Sequence, residues 1–138
     1  MSCSGRGCFD YMCDLLFLER KDAFRRNHLG NLEMPFLPQE KIEGIYAIFM
    51  EEKAIYVGRS KDIGSRLESH LKGWGNQAID EYLRTMTDDS LSRVRISYVQ
   101  VARPTCNEHH FIQCIATKQG QWPEYNMRGG DAVCEDDE

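Results

Sequence analysis

Hydrophobic and polar positions along the chain follow two periods, one typical of strands and one typical of helices. Two runs rich in β-branched and aromatic residues, 44–50 and 53–58, are separated only by acidic residues and predict a β-hairpin. Residues 93–98 alternate between polar and apolar side chains, which predicts a third strand with a basic outer row. Apolar residues spaced three to four apart predict four helices, over residues 10–28, 62–72, 76–86 and 105–119.

The order of these elements is helix, then strand–strand–helix–helix–strand–helix. It predicts an α/β fold of the α+β type, in which a small three-stranded, mostly antiparallel sheet is flanked by helices and an extra N-terminal helix precedes it. The run 44–50 is apolar on both faces, so we expect it to be the central strand. We expect three regions: a helical N-terminal extension over 1–40, the main domain over 41–128 and an acidic, disordered tail over 129–138.

The register of the hairpin decides whether Tyr46 and Tyr56 share a face of the sheet. Side chains alternate between the two faces, so a hairpin symmetric about Glu51 places both tyrosines on one face. A two-residue turn at 51–52 sends them to opposite faces unless a β-bulge corrects the register.

The charge of the chain is uneven. Its net charge is −5, but residues 131–138 contain five acidic and no basic side chains, so the remainder sums to zero. A neutral body leaves room for a local basic surface. No apolar stretch approaches the length of about 18 residues that a transmembrane helix needs, and no signal-peptide core is present. We therefore expect an intracellular protein, cytoplasmic or nuclear, whose six cysteines are free thiols.

Glu108 is the first candidate for chemistry. Thr105 and Glu108 fit a capping box, in which the glutamate accepts a hydrogen bond from the backbone at the start of its own helix. Glu108 also falls on the inward stripe of that helix with Ile112 and Ile115, where a carboxylate needs a cation, a metal or amide donors. The spacing alone favours capping and leaves a metal or catalytic role open.

Other candidates are weak when each is taken alone. Arg66 and His70 are four residues apart on one predicted helix, a spacing that usually marks a solvated edge. Tyr46 and Tyr56 would ordinarily be core aromatics.

Together these residues form a recognisable pattern. Gly44-Ile45-Tyr46 and Tyr56-Val57-Gly58 place two tyrosines ten residues apart, and Arg66 follows ten residues later. A helix-borne acid, Glu108, and then Asn126 complete the order. Over residues 42–127 this pattern resembles the GIY-YIG nuclease family, with Val57 as a common variant of the second triplet.

The resemblance implies a divalent-metal-dependent endonuclease that hydrolyses phosphodiester bonds in DNA. It implies that Glu108 is the one protein ligand of a Mg²⁺ or Mn²⁺ ion and that Arg66 binds the scissile phosphate. Tyr46 would contact and activate the attacking water, as a candidate general base, and Tyr56 would orient water or phosphate. His70 would accept a proton from Tyr46, as a histidine does in some branches of the family.

The resemblance also implies supporting roles. Asn126 would hold the geometry of the site through hydrogen bonds, and Arg59 and Lys61 are candidates for contact with DNA phosphates. The family usually appends a separate DNA-binding module, and none is recognisable in this sequence. A partner subunit that supplies DNA specificity is therefore one expectation, and no membrane partner is expected.

Two alternatives stay open. The first is a catalytically inactive nucleic-acid-binding or scaffold domain that has kept the same fold. The second is a zinc protein with a cluster on the last helix, although apolar residues lie among its ligands and the cysteines lack the usual C-x2-C pairing. Its ligands would be Cys106, His109, His110 and Cys114.

Overall fold

The computed structural model describes residues 6–22, 24–34, 38–73 and 77–126. The acidic tail predicted over 129–138 lies outside these residues. In chain order the elements are α1 (Arg6–Leu18), β1 (Lys21–Asp22), β2 (Arg25–Arg26), β3 (Leu32–Glu33), β4 (Gly44–Met50), β5 (Lys53–Ser60), α2 (Ile63–Leu71), α3 (Gln77–Thr85), α4 (Asp88–Leu91), β6 (Val94–Gln100) and α5 (Pro104–Gln119).

The main sheet has four antiparallel strands in the order β1-β6-β4-β5. The predicted α+β class and the central position of β4 are confirmed, and the predicted strand count is one too low because β1 adds to the edge of β6. Strands β2 and β3 form a separate two-stranded hairpin. Among the described helices, none is long and apolar enough to cross a membrane.

Two hydrophobic cores lie on opposite faces of this sheet. Helices α2 and α3 bury their apolar stripes in the first core with Ile48, Tyr46 and Tyr56. Helices α1 and α5 cover the other face, where Ile45, Ala47 and Val57 project from β4 and β5. Because β4 and β5 have helices over both faces, six of the seven residues of β4 and five of the eight residues of β5 are buried, as their continuous apolar runs predict.

The β4–β5 hairpin has a two-residue turn at Glu51–Glu52 and a β-bulge. Ile48 pairs with Tyr56 but Phe49 pairs with Ala54, which leaves Ile55 as the extra residue on β5. The bulge returns the register to the arrangement in which Tyr46 and Tyr56 lie on one face. The predicted alternative of a short turn with a corrective bulge is therefore confirmed.

The N-terminal helix is shorter than predicted. It ends at Leu18, whereas the apolar spacing predicted a helix to residue 28. Leu16 is buried in the core under α1 and α5, and Phe24 is buried in the core on the opposite face. One straight helix cannot contact both faces of a sheet. The helix therefore ends before Phe24, and the chain passes around the edge of the sheet through β1.

Two further expectations need correction. In the predicted outer row of β6, Ser97 is buried where α1 packs over the strand, while Arg93 and Arg95 reach solvent and pair with acidic side chains. The capping box is not formed, since α5 begins at Pro104 with Arg103 as its N-cap, and Thr105 lies inside the first turn. By contrast, Asp62 caps α2 as predicted, and its side chain accepts a hydrogen bond from the Ser65 amide.

Candidate active site

Two glycines allow the strands of the site to approach each other. A Cβ atom on Gly58 would lie 2.4 Å from the Cζ and Oη atoms of Tyr46, because the tip of that ring lies over Gly58 on the neighbouring strand. A Cβ atom on Gly44 would lie 2.0 Å from the backbone oxygen of Val99. Only glycine fits at either position without a shift of its neighbours, so the two glycines of the triplets have a steric role.

Tyr46 belongs to a chain of hydrogen bonds that continues through two helices. Its hydroxyl lies 2.6 Å from Nε2 of His70, on the last turn of α2. Nδ1 of His70 lies 2.5 Å from Oδ1 of Asp80, on α3. Tyr46 and His70 have no exposed surface and Asp80 is 1% exposed, so the whole chain lies inside the first core.

Arg66 and Tyr56 border this chain on the side nearer the solvent. The Arg66 guanidinium interacts with the hydroxyls of both Tyr46 and Tyr56 through hydrogen bonds and charge. Burial raises the pKa of Tyr46 well above its ordinary value; the nearby Tyr56 adds to this rise, and Arg66 opposes it. Burial also raises the pKa of Tyr56. Both residues are therefore neutral phenols at physiological pH.

His70 is held as a neutral imidazole. Burial lowers its pKa below the usual value of 6.5, contact with Asp80 opposes this shift, and the positive charge of Arg66 adds to it. The interpretation of Arg66 and His70 as a solvated helix edge is wrong for His70, which is fully buried. Four residues make slightly more than one helical turn, so both side chains reach the same end of the site.

Glu108 and Arg59 lie on the other side of strand β5. Arg59 Nη1 is 3.1 Å from Oε1 of Glu108, and the side chains are 41% and 9% exposed. Glu108 projects from α5, and its charge acts on the pKa of Tyr56. The site therefore surrounds the edge strand, with tyrosine, arginine and histidine on one face and the carboxylate on the other.

A magnesium-class cation fits this donor set. Mg²⁺ is commonly held by one or two carboxylates together with water and substrate phosphate, and Glu108 supplies one such carboxylate. Among the described residues, no group of three or more histidine, cysteine or acidic side chains is close enough to hold a metal on its own. A single carboxylate suits a cation that takes its remaining ligands from water and substrate phosphate.

Comparison with known proteins gives two matches. Residues 42–101 match the family model of the GIY-YIG catalytic domain. This part of the chain is a GIY-YIG domain. A structure of a bacteriophage T4 EndoII mutant aligns with 17% sequence identity and a TM-score of 0.48, over 59% of this chain and 64% of that one. The alignment thus spans less than two thirds of the phage chain. No curated protein matches the sequence.

Asn126 supports the GIY-YIG domain from outside its matched segment. Its side-chain amide accepts a hydrogen bond from the Val57 backbone N–H at 2.8 Å and donates to the Val57 carbonyl at 2.9 Å. Gln119 makes the same pair of bonds with Ala54, at 2.8 and 2.9 Å. The backbone N–H of Tyr125 also donates to Ile55. These amides occupy the edge of β5 in place of a further strand.

The sequence-predicted residues of the GIY-YIG domain thus meet around β5. Tyr46, Tyr56 and His70 form a cluster with ring centroids 5.6–6.1 Å apart, and Arg66 contacts both phenols. Lys61 follows directly after β5 and is exposed. Asp80 was missed by the sequence analysis. Its only signal is a carboxylate beside the apolar stripe of α3, a position that is usually solvated.

The cysteines differ from the expectation of six free thiols. Cys106 is disulfide-bonded, so it is not available as a thiolate ligand for the alternative zinc site. Cys13 lies against Cys114 where α1 packs on α5, and burial raises the pKa of its thiol. The sequence could not indicate which cysteines would meet, because it does not show which helices pack side by side.

Proposed function

We propose that this GIY-YIG domain is a divalent-metal-dependent endonuclease that hydrolyses phosphodiester bonds in DNA. The observation that carries the proposal is the 2.6 Å contact between the Tyr46 hydroxyl and His70 Nε2, placed beside Arg66. A tyrosine joined to a neutral histidine offers a path for a proton, and an adjacent arginine offers a place for a phosphate.

The proton path begins at the attacking water. The raised pKa of Tyr46 disfavours a free phenolate, so the tyrosine works as a neutral relay. As the water oxygen bonds to phosphorus, its proton passes to the Tyr46 oxygen and the Tyr46 proton passes to Nε2 of His70. The bond from phosphorus to the leaving oxygen breaks, and its electron pair stays on that oxygen, which takes a proton from solvent water. His70 afterwards returns its extra proton to solvent through Tyr46, so one water is consumed and both groups regain their starting protonation.

In this mechanism the Arg66 guanidinium first contacts Tyr46 and then turns to the scissile phosphate. Tyr46 has no exposed surface in the free protein, and Arg66 contacts its hydroxyl. The Arg66 side chain is partly exposed, so its guanidinium can turn towards the scissile phosphate and stabilise the charge that develops there. That movement opens the place beside Tyr46 to the attacking water and couples water entry to substrate binding.

Glu108 would hold the divalent cation, Mg²⁺ or Mn²⁺. When bound, the cation supplies Lewis-acid stabilisation of the charge on the scissile phosphate and leaving oxygen. Arg59 pairs with Glu108 in the free protein and orients its carboxylate. Because its side chain is 41% exposed, Arg59 can turn to a DNA phosphate, and Lys61 can contact the neighbouring backbone.

A non-catalytic domain of the same fold is the alternative. In an inactive domain the buried polar residues would no longer be under selection. Because a buried carboxylate destabilises the fold unless it has partners, such residues would then be lost. The simultaneous presence of Tyr46, His70, Arg66 and Glu108 around one strand favours the enzyme.

The test is incubation of purified protein with plasmid, linear, single-stranded and branched DNA in the presence of Mg²⁺ or Mn²⁺. We expect cleavage that EDTA removes. Glu108→Gln should lose at least about 100-fold in rate while the free energy of unfolding changes by about 1 kcal/mol or less. Glu81→Gln, at an exposed position on α3, is the matched control and should keep the wild-type rate. Binding of DNA without cleavage of any substrate would support the non-catalytic alternative.

A further inference from the structure

We propose that Asp80 is a positioning residue that holds His70 in the one ring orientation and tautomer able to accept the proton of Tyr46. The inference rests on the proposed function and extends it to a residue outside the family pattern described above. The observation behind it is that the buried Asp80 carboxylate contacts one ring nitrogen of the buried His70, while the Tyr46 hydroxyl contacts the other.

The three groups are joined in line within the first core. Asp80 Oδ1 lies 2.5 Å from Nδ1 of His70, and Nε2 lies 2.6 Å from the Tyr46 hydroxyl. The two ring nitrogens point at different partners, so a flip of the imidazole ring would break both contacts. Three separate elements, β4, α2 and α3, supply the members of this chain.

The chemistry of the carboxylate sets the tautomer. An ionised carboxylate only accepts hydrogen bonds, so Nδ1 must carry the proton and donate it to Asp80. In a neutral ring the other nitrogen, Nε2, then has a free electron pair directed at Tyr46. The tyrosine therefore donates to His70, which is the direction that the proposed proton path requires. A ring with the opposite tautomer would donate to Tyr46 and block the path.

Packing alone does not account for an aspartate at this position. Its neighbours on the inward side of α3, Ile79 and Leu83, are apolar and fully buried. An apolar residue would fill the same space without the cost of removing a carboxylate from water. The hydrogen bond to His70 offsets the desolvation cost of the Asp80 carboxylate. What the carboxylate adds over an apolar residue is a fixed orientation of the His70 ring.

The surroundings of His70 determine its response to pH. Tyr46 on β4, Tyr56 on β5, Arg66 on α2 and Asp80 on α3 face the ring. Burial and Arg66 lower the pKa of His70 more than Asp80 raises it. The proton-accepting form is therefore present at neutral pH, and the cleavage rate should fall as the pH drops from 6.5 into the range below it.

Asp80→Asn is the decisive variant. The amide can present an N–H group to Nδ1, which would place the ring proton on Nε2, so the carboxylate's control of the tautomer is lost. We expect the cleavage rate to drop by about 100-fold or more across the pH range, within the usual contribution of acid–base groups. Asp62→Asn on α2 is the matched control: asparagine caps helices about as well as aspartate, so its rate should stay near the wild-type rate.

The tautomer is measured without any cleavage. Nitrogen-15 NMR of imidazole-labelled wild-type protein should show His70 protonated at Nδ1 and unprotonated at Nε2 at pH 7. The same spectrum of Asp80→Asn should show the Nε2 proton or a mixture of tautomers. A wild-type ring with its proton on Nε2 would overturn the proposal, and this measurement holds even if Asp80→Asn fails to fold.

A double-mutant comparison separates positioning from simple stability. In a His70→Gln background, adding Asp80→Asn should lower the remaining rate by less than about twofold, because Asp80 acts through His70. A full additional loss, or a rate loss that follows the melting temperature while the tautomer stays unchanged, would show a purely structural role. If wild-type protein cleaves no DNA but shows the Nδ1 tautomer, the proposed function fails and the assignment of Asp80 to the ring orientation survives.

Discussion

Gly58 lies directly opposite Tyr46 in the β4–β5 register, and the tip of the Tyr46 ring occupies the space into which a side chain would project. The second triplet of the motif is therefore a steric complement of the first. The glycine supplies no chemistry, and the position of the Tyr46 hydroxyl depends on it.

Gly58→Ala tests this dependence. The new Cβ atom must displace a buried ring, which should cost about 1–3 kcal/mol of unfolding free energy, as overpacking does in other cores. The displacement also breaks the contact with His70, so activity should fall by more than the loss of folded protein explains. Thermal melts and single-turnover cleavage rates measure the two effects separately.

A second substitution checks the cause. In a Tyr46→Leu background the alanine at 58 no longer meets an aromatic ring, so its cost in unfolding free energy should shrink to less than about 1 kcal/mol. Additive costs in the double variant would mean that Gly58 is needed for a reason other than the Tyr46 ring.

Short-range patterns were sufficient to predict most of the residues that the fold brings together around β5. The two triplets, Arg66 and Glu108 have fixed spacing on elements whose type follows from local periodicity. Asp80 could not be predicted, because its partner His70 belongs to a different helix and the contact exists only after α2 and α3 pack together. The burial of His70 was missed for the same reason.

At the scale of elements, strand β5 combines two roles that usually conflict. It carries Tyr56, Gly58 and Arg59, and it is an edge strand of the main sheet. Unpaired edges attract other chains. Two side-chain amides, from Gln119 and Asn126, satisfy the edge backbone at Ala54 and Val57 without adding a strand.

Asn126→Ala and Gln119→Ala should therefore behave differently. Each removes two hydrogen bonds and should lower the unfolding free energy by about 1–3 kcal/mol. Asn126→Ala should also lower the cleavage rate, because Val57 directly follows Tyr56, whereas Gln119→Ala should keep the rate. Amide hydrogen exchange should accelerate at Val57 in the first variant and at Ala54 in the second. Equal rates of cleavage in the two variants would show that Asn126 has no special link to the site.

Prediction of elements succeeded where one periodicity ran without interruption. Helices α2 and α5 and all strands of the β4–β5–β6 unit were placed to within a few residues. The N-terminal helix failed because the periodicity of residues 10–28 is compatible with one helix, while the two cores that receive Leu16 and Phe24 lie on opposite faces. No local pattern encodes that change of side.

At the scale of the whole molecule, the N-terminal segment completes both cores. Leu16 belongs to the core beneath α1 and α5, while Phe24 and Met34 belong to the core beneath α2 and α3. Their removal would leave apolar surface on each face of the sheet. The matched GIY-YIG segment is thus packed against residues that precede it in the chain.

Single substitutions measure this contribution. Leu16→Ala should cost about 2–5 kcal/mol, the usual range for a fully buried leucine. Leu18→Ala, two residues further along and 78% exposed, should stay within about 0.5 kcal/mol of the wild type. Removal of residues 1–34 should leave a fragment that does not melt cooperatively. A fragment that melts cooperatively and keeps the wild-type rate would contradict the dependence on this segment.

The site draws its groups from two cores that meet at a single strand. The tyrosines, Arg66 and His70 rest on the packing of α2 and α3, while Glu108 rests on the packing of α5 with α1. If Glu108 holds the cation and Tyr46 and His70 relay the proton, as proposed, mutations within one core should alter cation affinity while leaving the proton relay intact, and mutations within the other should do the reverse. In evolutionary terms the two proposed functions would then be separable traits, and a lineage could adjust metal preference and acid–base behaviour in independent steps, provided that β5 keeps its place between them.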